Sequence, residues 1–289
     1  VESALRLGMR PFARADEFGV LELINADQVP GQPEVTAAQL AEAVAGRSPN
    51  DSGWWEELDA PVTVVAVEGG AVVGVVSFAV RAKDRTGLIL WLHCREREDV
   101  AAALVAYAVD ALAGCARLEA FTLSSALVVA LEGLPVRHRA VTHEALLAAG
   151  FVGADLWAYM RAELPLSLPR LDAGVRYERM AGDEWELSLM EGRTRVAKAQ
   201  VGLPVAGTGV LWWISTRRRA RGRGYGRVVL GAAGALLADL GAREVVLVVD
   251  DDAPEDQGRS RVAAKRMYRG AGFVEVDRLF SYTRHGGDG

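Results

Sequence analysis

The sequence predicts an α/β (α+β) chain made of two similar domains in tandem, each a mixed sheet with helices on its faces. Three observations predict it: a long-period repeat, the same order of strand and helix signals in both halves, and a proline-bracketed segment between them. The segment Ala149-Gly150-Phe151-Val152-Gly153-Ala154-Asp155 recurs as Ala271-Gly272-Phe273-Val274-Glu275-Val276-Asp277, at an offset of 122. Val67-Glu68-Gly69 falls beside Met190-Glu191-Gly192 at 123, and Leu90-Trp91-Leu92 falls on Trp212-Trp213-Ile214 at 122. Three ordered matches at nearly one offset indicate a duplicated domain, because the period is too long for a solenoid.

In the first half, residues 16–26 and 36–45 have helical character. Strand-rich runs 62–67 and 71–80 flank Glu68-Gly69-Gly70, a hairpin signal. A buried strand follows at 87–94, then a helix at 99–112 with apolar residues at helical spacing, a strand at 118–123, a short helix at 142–149, and a strand or hairpin at 151–163. The second half gives a strand at 175–180, a hairpin at 185–190 and 194–202, and a strand at 210–216. A helix at 226–240, a Val-rich strand at 244–249, a helix at 261–270 and strands over 273–284 complete it. The second half thus lacks the two helices that precede the first hairpin. Leu164-Pro165-Leu166-Ser167-Leu168-Pro169 reads as an extended connection. The expected boundary is residue 168, giving domains 1–168 and 169–289.

The chain has 289 residues, 51% of them hydrophobic and 25% charged, with a net charge of −5. Each half is long enough to bury a core. The acidic balance argues against a general nucleic-acid surface. Two cysteines, Cys94 and Cys115, make neither a disulfide framework nor a Cys-based metal site, and no metal is expected. No apolar run reaches the roughly 20 residues that span a bilayer. No membrane partner and a cytoplasmic location are the expectations. The oligomeric state is not legible.

The chemistry concentrates in Arg217-Arg218-Arg219-Ala220-Arg221-Gly222-Arg223-Gly224-Tyr225-Gly226-Arg227, between a strand and a helix. A glycine-rich turn entering a helix leaves backbone N–H groups unpaired, and with the helix dipole these form an anion site. Glycines let the backbone approach phosphate oxygens closely. Six arginines add a local positive field to an acidic chain. No Gly-Lys-Ser/Thr closes the loop, so it is not a Walker loop, and no acidic ribose reader ends the next strand.

The segment Arg221-Gly222-Arg223-Gly224-Tyr225-Gly226 resembles the acetyl-CoA-binding motif of the GNAT superfamily of N-acetyltransferases, Arg/Gln-x-x-Gly-x-Gly/Ala. The later family pattern is matched by Ala264-Lys265-Arg266-Met267-Tyr268 followed by Gly272-Phe273. The resemblance covers the second half and implies two tandem GNAT-like domains with mixed, mostly antiparallel sheets, the first a degenerate copy without a CoA motif. It implies acetyl-CoA as cosubstrate and transfer of its acetyl group to a primary amine of a small molecule by direct attack. By the same resemblance, Ile214, Ser215 and Thr216 face the pantetheine arm, Arg221, Gly222, Arg223, Gly224, Tyr225, Gly226 and Arg227 wrap the diphosphate, and Tyr268 faces the thioester sulfur. The family often has Asn three residues before that Ala; here it is Arg261, preceded by an acidic stretch over 250–256. At the 122 offset Arg221 falls on Asp99, and Gly222, Gly224 and Gly226 on Val100, Ala102 and Leu104. No general base stands out. Glu191 and the acidic stretch are candidates, as are His93, His138 and His143, although those lie in the first half. A non-catalytic acyl-CoA sensor and an arginine-loop nucleic-acid module are the competing readings.

Overall fold

Runs of buried β-branched residues make the strands, and small apolar residues at helical spacing make the helices that cover them. The computed structural model describes residues 7–49, 52–168, 174–180, 182, 184–250 and 261–285. In chain order the first half contains β1 (Gly8–Pro11), α1 (Glu17–Ala26), α2 (Ala37–Val44), α3 (Ser52–Trp55), β2 (Val62–Glu68), β3 (Ala71–Arg81), β4 (Thr86–His93), α4 (Glu98–Ala111), β5 (Arg117–Ala120), β6 (Leu134–Pro135), α5 (Ala140–Ala148) and β7 (Val152–Glu163). The second contains β8 (Val175–Arg179), β9 (Glu184–Glu191), β10 (Thr194–Val205), β11 (Thr208–Thr216), α6 (Tyr225–Asp239), β12 (Glu244–Asp250), α7 (Arg261–Gly270) and β13 (Val274–His285). The expected elements are present with ends moved by a few residues. The segment from 151 is one strand rather than a hairpin, and β13 is one continuous strand. β1, α3 and β6 are not among the elements the sequence predicts.

The chain forms two compact units. One takes Val1–Val29, Glu34–Leu156 and Arg278–Gly289; the other takes Pro30–Pro33 and Trp157–Asp277. In the first unit β1, β2, β3 and β4 follow one another antiparallel, and β4 pairs parallel with β5. The end of β13 completes it, with Tyr282 opposite Ala120 and Arg284 opposite Leu118. α4 and α5 cover one face, burying Val100, Leu104, Val105 and Leu146. α1 and α2 cover the other, burying Val20, Leu23, Ile24 and Leu40 against Val65, Val75, Leu88 and Leu90. α2 starts at a capping box in which Thr36 accepts from the Gln39 backbone N–H while Gln39 accepts from that of Thr36.

The second unit repeats this plan. β8, β9, β10 and β11 are antiparallel neighbours, β11 pairs parallel with β12, and the Trp157–Glu163 part of β7 pairs antiparallel with β12. α6 and α7 pack on one face, where Val229, Leu230, Ala233 and Leu237 meet Leu187, Ala199, Val201 and Leu211. α6 lies close to the connecting segment: a Cβ on Gly234 would stand 2.6 Å from the Leu166 side chain. Among the described residues this unit has no counterpart of α1 and α2, as the sequence predicts.

The repeat extends to irregularities. The β2–β3 ladder skips Val73 and the β9–β10 ladder skips Val196; the β3–β4 ladder skips Leu90 and the β10–β11 ladder skips Trp212. Both pairs of bulges are related by the offsets seen in the sequence. β13 is the repeat counterpart of β7, so each unit takes its last strand from the other half of the chain. The compact units are therefore not the continuous segments 1–168 and 169–289, and residue 168 stays a proposal for the seam of duplication. Fragments 1–168 and 169–289, each short of a sheet strand, are expected to lack cooperative thermal unfolding when made singly and to recover it when co-expressed. Two fragments that each melt cooperatively alone would refute the exchange.

Candidate acyl-CoA site

Parallel pairing of β11 with β12 covers only Thr208–Val210 against Glu244–Val246. Beyond Val210 the two strands keep their outer partners. β11 stays on β10 as far as Thr216, and β12 stays on β7 as far as Asp250. Their inner edges separate where Trp212 bulges out of the β10–β11 ladder, and a bulge bends and twists the strand that carries it. Leu211–Thr216 thus presents an edge with no strand partner among the described residues, on which an extended amide-bearing chain can be held by backbone hydrogen bonds. Ile214, Ser215 and Thr216 all lie on it and are partly exposed.

At the end of that edge the chain turns through a short 3-10 segment, Arg218–Ala220, and enters α6. Gly222 and Gly224 have φ of +77° and +81°, a region that costs a side-chain-bearing residue about 1 kcal/mol or more. Open space surrounds the position of a Cβ at both. Gly226 is different: its Cβ would stand 3.0 Å from the Met267 sulfur and 3.5 Å from Thr216 Oγ1, so the start of α6, the end of β11 and α7 converge there. The first turn bonds return to the Gly224 carbonyl from Arg227 and Val228. The N–H groups of Gly222, Arg223, Gly224, Tyr225 and Gly226 have no backbone acceptor among the described residues. Five unpaired donors at a helix N-terminus fit a diphosphate. The arginines are not all alike. Arg223 forms an ion pair with Glu191 at 2.8 Å and stacks over the Tyr225 ring, and the Tyr225 hydroxyl donates to the same carboxylate at 2.7 Å. The bonds from Tyr225 and Arg223 hold the Glu191 carboxyl below its usual range, so it stays ionised near neutrality. Glu191, at the β9 hairpin, is therefore a clasp on the loop.

Tyr268 lies in the last turns of α7, 6% exposed, within the core of its unit and edge-on to Phe273 with ring centroids 5.6 Å apart. Asp250 ends β12, while residues 251–256 of the acidic stretch and the Arg261 side chain lie outside the described residues. The histidines named from sequence belong to the first unit. His93 is buried, with its Nδ1 3.3 Å from the Asp27 carboxylate; burial first of all keeps its proton affinity low. His143 bonds Tyr282 at 2.7 Å.

The counterpart of the loop corrects the offset-based comparison. α4 begins at Glu98, so Asp99, Val100, Ala102 and Leu104 are helical and do not stand where the glycines do. Four residues, Cys94–Arg97, link β4 to α4, against eight, Arg217–Gly224, between β11 and α6. The first unit lacks the loop outright. Its β4 edge is also occupied: Arg139, 3% exposed, donates to the Leu92 carbonyl at 2.9 Å and pairs with Glu96 at 2.6 Å. Asp27 accepts from the Cys94 backbone N–H at 3.0 Å. At the 122 offset, Leu146 stands in place of Tyr268.

Solved structures share this fold. A tandem GNAT protein from the clavulanic acid biosynthesis pathway superposes with a TM-score of 0.65 at 15% identity, over 98% of this chain and 100% of that one. A GCN5-related N-acetyltransferase from Sphaerobacter thermophilus gives 0.61 at 16% identity, over 96% and 95%. A GCN5-related glucosamine N-acetyltransferase region of a fungal multi-domain GH3 β-N-acetylglucosaminidase gives 0.61 at 11% identity, over 98% of this chain and 38% of that one. No family model and no curated protein sequence matches the chain. The likeness establishes the fold, which is that of the tandem GNAT N-acetyltransferases, as the motifs implied. No helix among the described residues is long and apolar enough to cross a membrane.

Two outcomes follow for binding. Calorimetric titration with acetyl-CoA is expected to give one equivalent per chain, and Gly224→Glu, which adds a carboxylate and left-handed strain among the free donors, is expected to abolish it; two equivalents would refute the occupied state of the first unit. Glu191→Gln releases Arg223 and is expected to tighten acetyl-CoA binding about two- to fivefold, the range of an exposed ion pair. Weaker binding in that variant would show that the clasp orders the loop instead.

Proposed function

We propose that the chain is an acetyl-CoA-dependent N-acyltransferase that moves an acetyl group from CoA to a primary amine of a small-molecule acceptor by direct attack. The observation that carries this reading is the parted pair β11 and β12, opening beside a glycine loop with five free N–H groups. In it, the β11 edge at Ile214, Ser215 and Thr216 takes the amide-bearing arm, and the loop from Arg221 to Arg227 takes the diphosphate. The thioester supplies an activated carbonyl carbon and a good leaving group.

Attack by a neutral amine puts negative charge on the carbonyl oxygen, and a backbone N–H on the parted edge is the group suited to receive it. As the C–S bond breaks, the thiolate takes a proton and the attacking nitrogen gives one up, so amine and thioester become amide and thiol with no net proton change. An ordinary thiol has a pKa of about 8.5 and a phenol about 10, so Tyr268 is suited to the modest task of donor. A water-excluding core around that hydroxyl would strengthen its bond to the sulfur.

The burial of Tyr268 against Phe273 also favours a second reading, an acyl-CoA sensor in which the tyrosine only packs. One experiment separates the two. Thiol release from acetyl-CoA is measured against a panel of small amines, with wild type and Tyr268→Phe. On the enzyme reading, one or more amines are acetylated, and the variant loses about a hundredfold in kcat while acetyl-CoA affinity holds, the lower end of a general-acid contribution. Tight acetyl-CoA binding with no acetylated amine in the panel, and no change in the variant, would favour the sensor.

A further inference from the structure

On the face of the second unit away from α6, the strands carry polar side chains in register. Ser215 of β11 lies opposite Lys198 of β10, Lys198 opposite Ser188 of β9, and Ser188 opposite Arg176 of β8. The same row in the first unit is His93, Val75, Val65 and Arg10. There Val65 and Val75 are fully buried beneath α1. There too Arg10 is held by two bonds of 2.6 Å to Asp16, at the entry to α1. Among the described residues the second unit has neither that apolar cover nor a carboxylate in the place of Asp16, yet the arginine stands in the equivalent register position. Arg176 has no side-chain hydrogen bond or ion pair among the described residues.

Around Arg176 is a cavity of about 370 Å³, whose lining includes Arg193, Arg195 and Arg217. Its carboxylates are Glu178 and Glu186, and Glu186 is already shared by Arg195 at 2.9 Å and Lys198 at 3.0 Å. Among the described residues Arg193 and Arg217, like Arg176, have no such partner, so three guanidiniums converge on one hollow in a chain of net charge −5. Guanidinium forks bind carboxylate and phosphate with paired, charge-assisted hydrogen bonds. The row from Ser215 to Arg176 crosses three strand spacings, about 14 Å. It therefore joins the parted edge of β11 to the cavity over the length of a small metabolite.

We infer that this cavity binds an anionic group, carboxylate or phosphate, of the acceptor whose amine is acetylated at the β11 edge; this rests on the acyl-transfer reading. Ser188 and Lys198 form the floor between the two ends, and Arg176, Arg193 and Arg217 fix the anion. An acceptor with its amine at one end and its charge at the other spans the row.

The test has two arms on the full chain. In the first, inorganic phosphate and citrate are titrated at low salt into wild type and into Arg176→Gln/Arg193→Gln, alongside acetyl-CoA. The expected result is saturable anion binding that the double variant weakens about tenfold or more, with acetyl-CoA affinity held within about twofold. Absence of anion binding overturns the proposal. So does a matching loss of acetyl-CoA affinity, which would assign the arginines to the phosphates of CoA. In the second arm, matched amines are compared as acceptors: an amino acid against its amide, and an amino-sugar phosphate against the amino sugar. The anionic member is expected to be preferred, and the double variant to erase the preference through KM with kcat kept. Equal use of both members overturns the proposal. Failure of acetyl-CoA to bind wild type while phosphate still does would sink the acyl-transfer reading itself, and with it the assignment of the anion to an acceptor.

Discussion

One inserted residue in a β-ladder sets the geometry on which the site depends. β10 and β11 pair in step from Thr216 to Trp213, then Trp212 falls out of register before Leu211 pairs with Val201. A flat strand at this place would carry its pairing with β12 along its length. Bent by the bulge, β11 leaves β12 after Val210, and each strand is still anchored on its outer side. The cost of leaving backbone groups unpaired on the inner edges is about 1–3 kcal/mol for each one kept from water. Such an edge persists because rigid neighbours hold it apart, and it gains most from a ligand that supplies the missing amides.

The same economy of backbone groups explains the loop. Affinity for a diphosphate comes from N–H groups fixed by the fold, and Gly222 and Gly224 are glycines because the turn passes twice through left-handed space. The arginines are long, exposed and screened by solvent, and Arg223 is held by Glu191. They set the sign of the local field more than the shape of the site. Gly226 meets a different demand, the close approach of α7 through Met267. Three glycines in one motif thus answer two separate constraints.

Most of the fold was legible because strong local signals carried it: alternation in β9 and β10, the Val-rich β12, and the apolar stripe of α6. The site loop was legible because glycine spacing reports backbone conformation directly. What escaped was nonlocal. The exchange of β7 and β13 left no mark, since each strand is chemically suited to either unit and a sequence offset cannot say which sheet a strand joins. Arg139 on the β4 edge escaped because its contact with the Leu92 carbonyl is nonlocal: the offset of 122 sets it against Arg261, and nothing in the sequence around it shows that it reaches β4. The offset of 122 also failed locally. β2, β3, β4, β7 and α5 obey it to within a residue, but the connection before α4 is four residues shorter than its counterpart, so α4 and β5 are displaced and helical residues were aligned with glycines. Glu191 was visible as a turn carboxylate, though only the fold shows that the turn meets Arg223 and Tyr225.

The two copies show how one sheet diverges under different uses of the same positions. In the first unit, side chains satisfy everything that a ligand would: Arg139 takes the Leu92 carbonyl, Asp27 takes backbone N–H groups beyond β4, and α1 buries Val65 and Val75. Burial raises the carboxyl of Asp27, but its bond from His93 and the charge of Arg139 outweigh that and keep it ionised, so the filling is itself a satisfied polar network. In the second unit the equivalent groups are left open. Among the described residues the β11 edge lacks a strand, the loop N–H groups lack acceptors, and Arg176 lacks the carboxylate that Arg10 has. Filled in this way, the first unit holds these positions in a rigid polar network. Its twin carries the unsatisfied donors, and those donors define what it is built to bind.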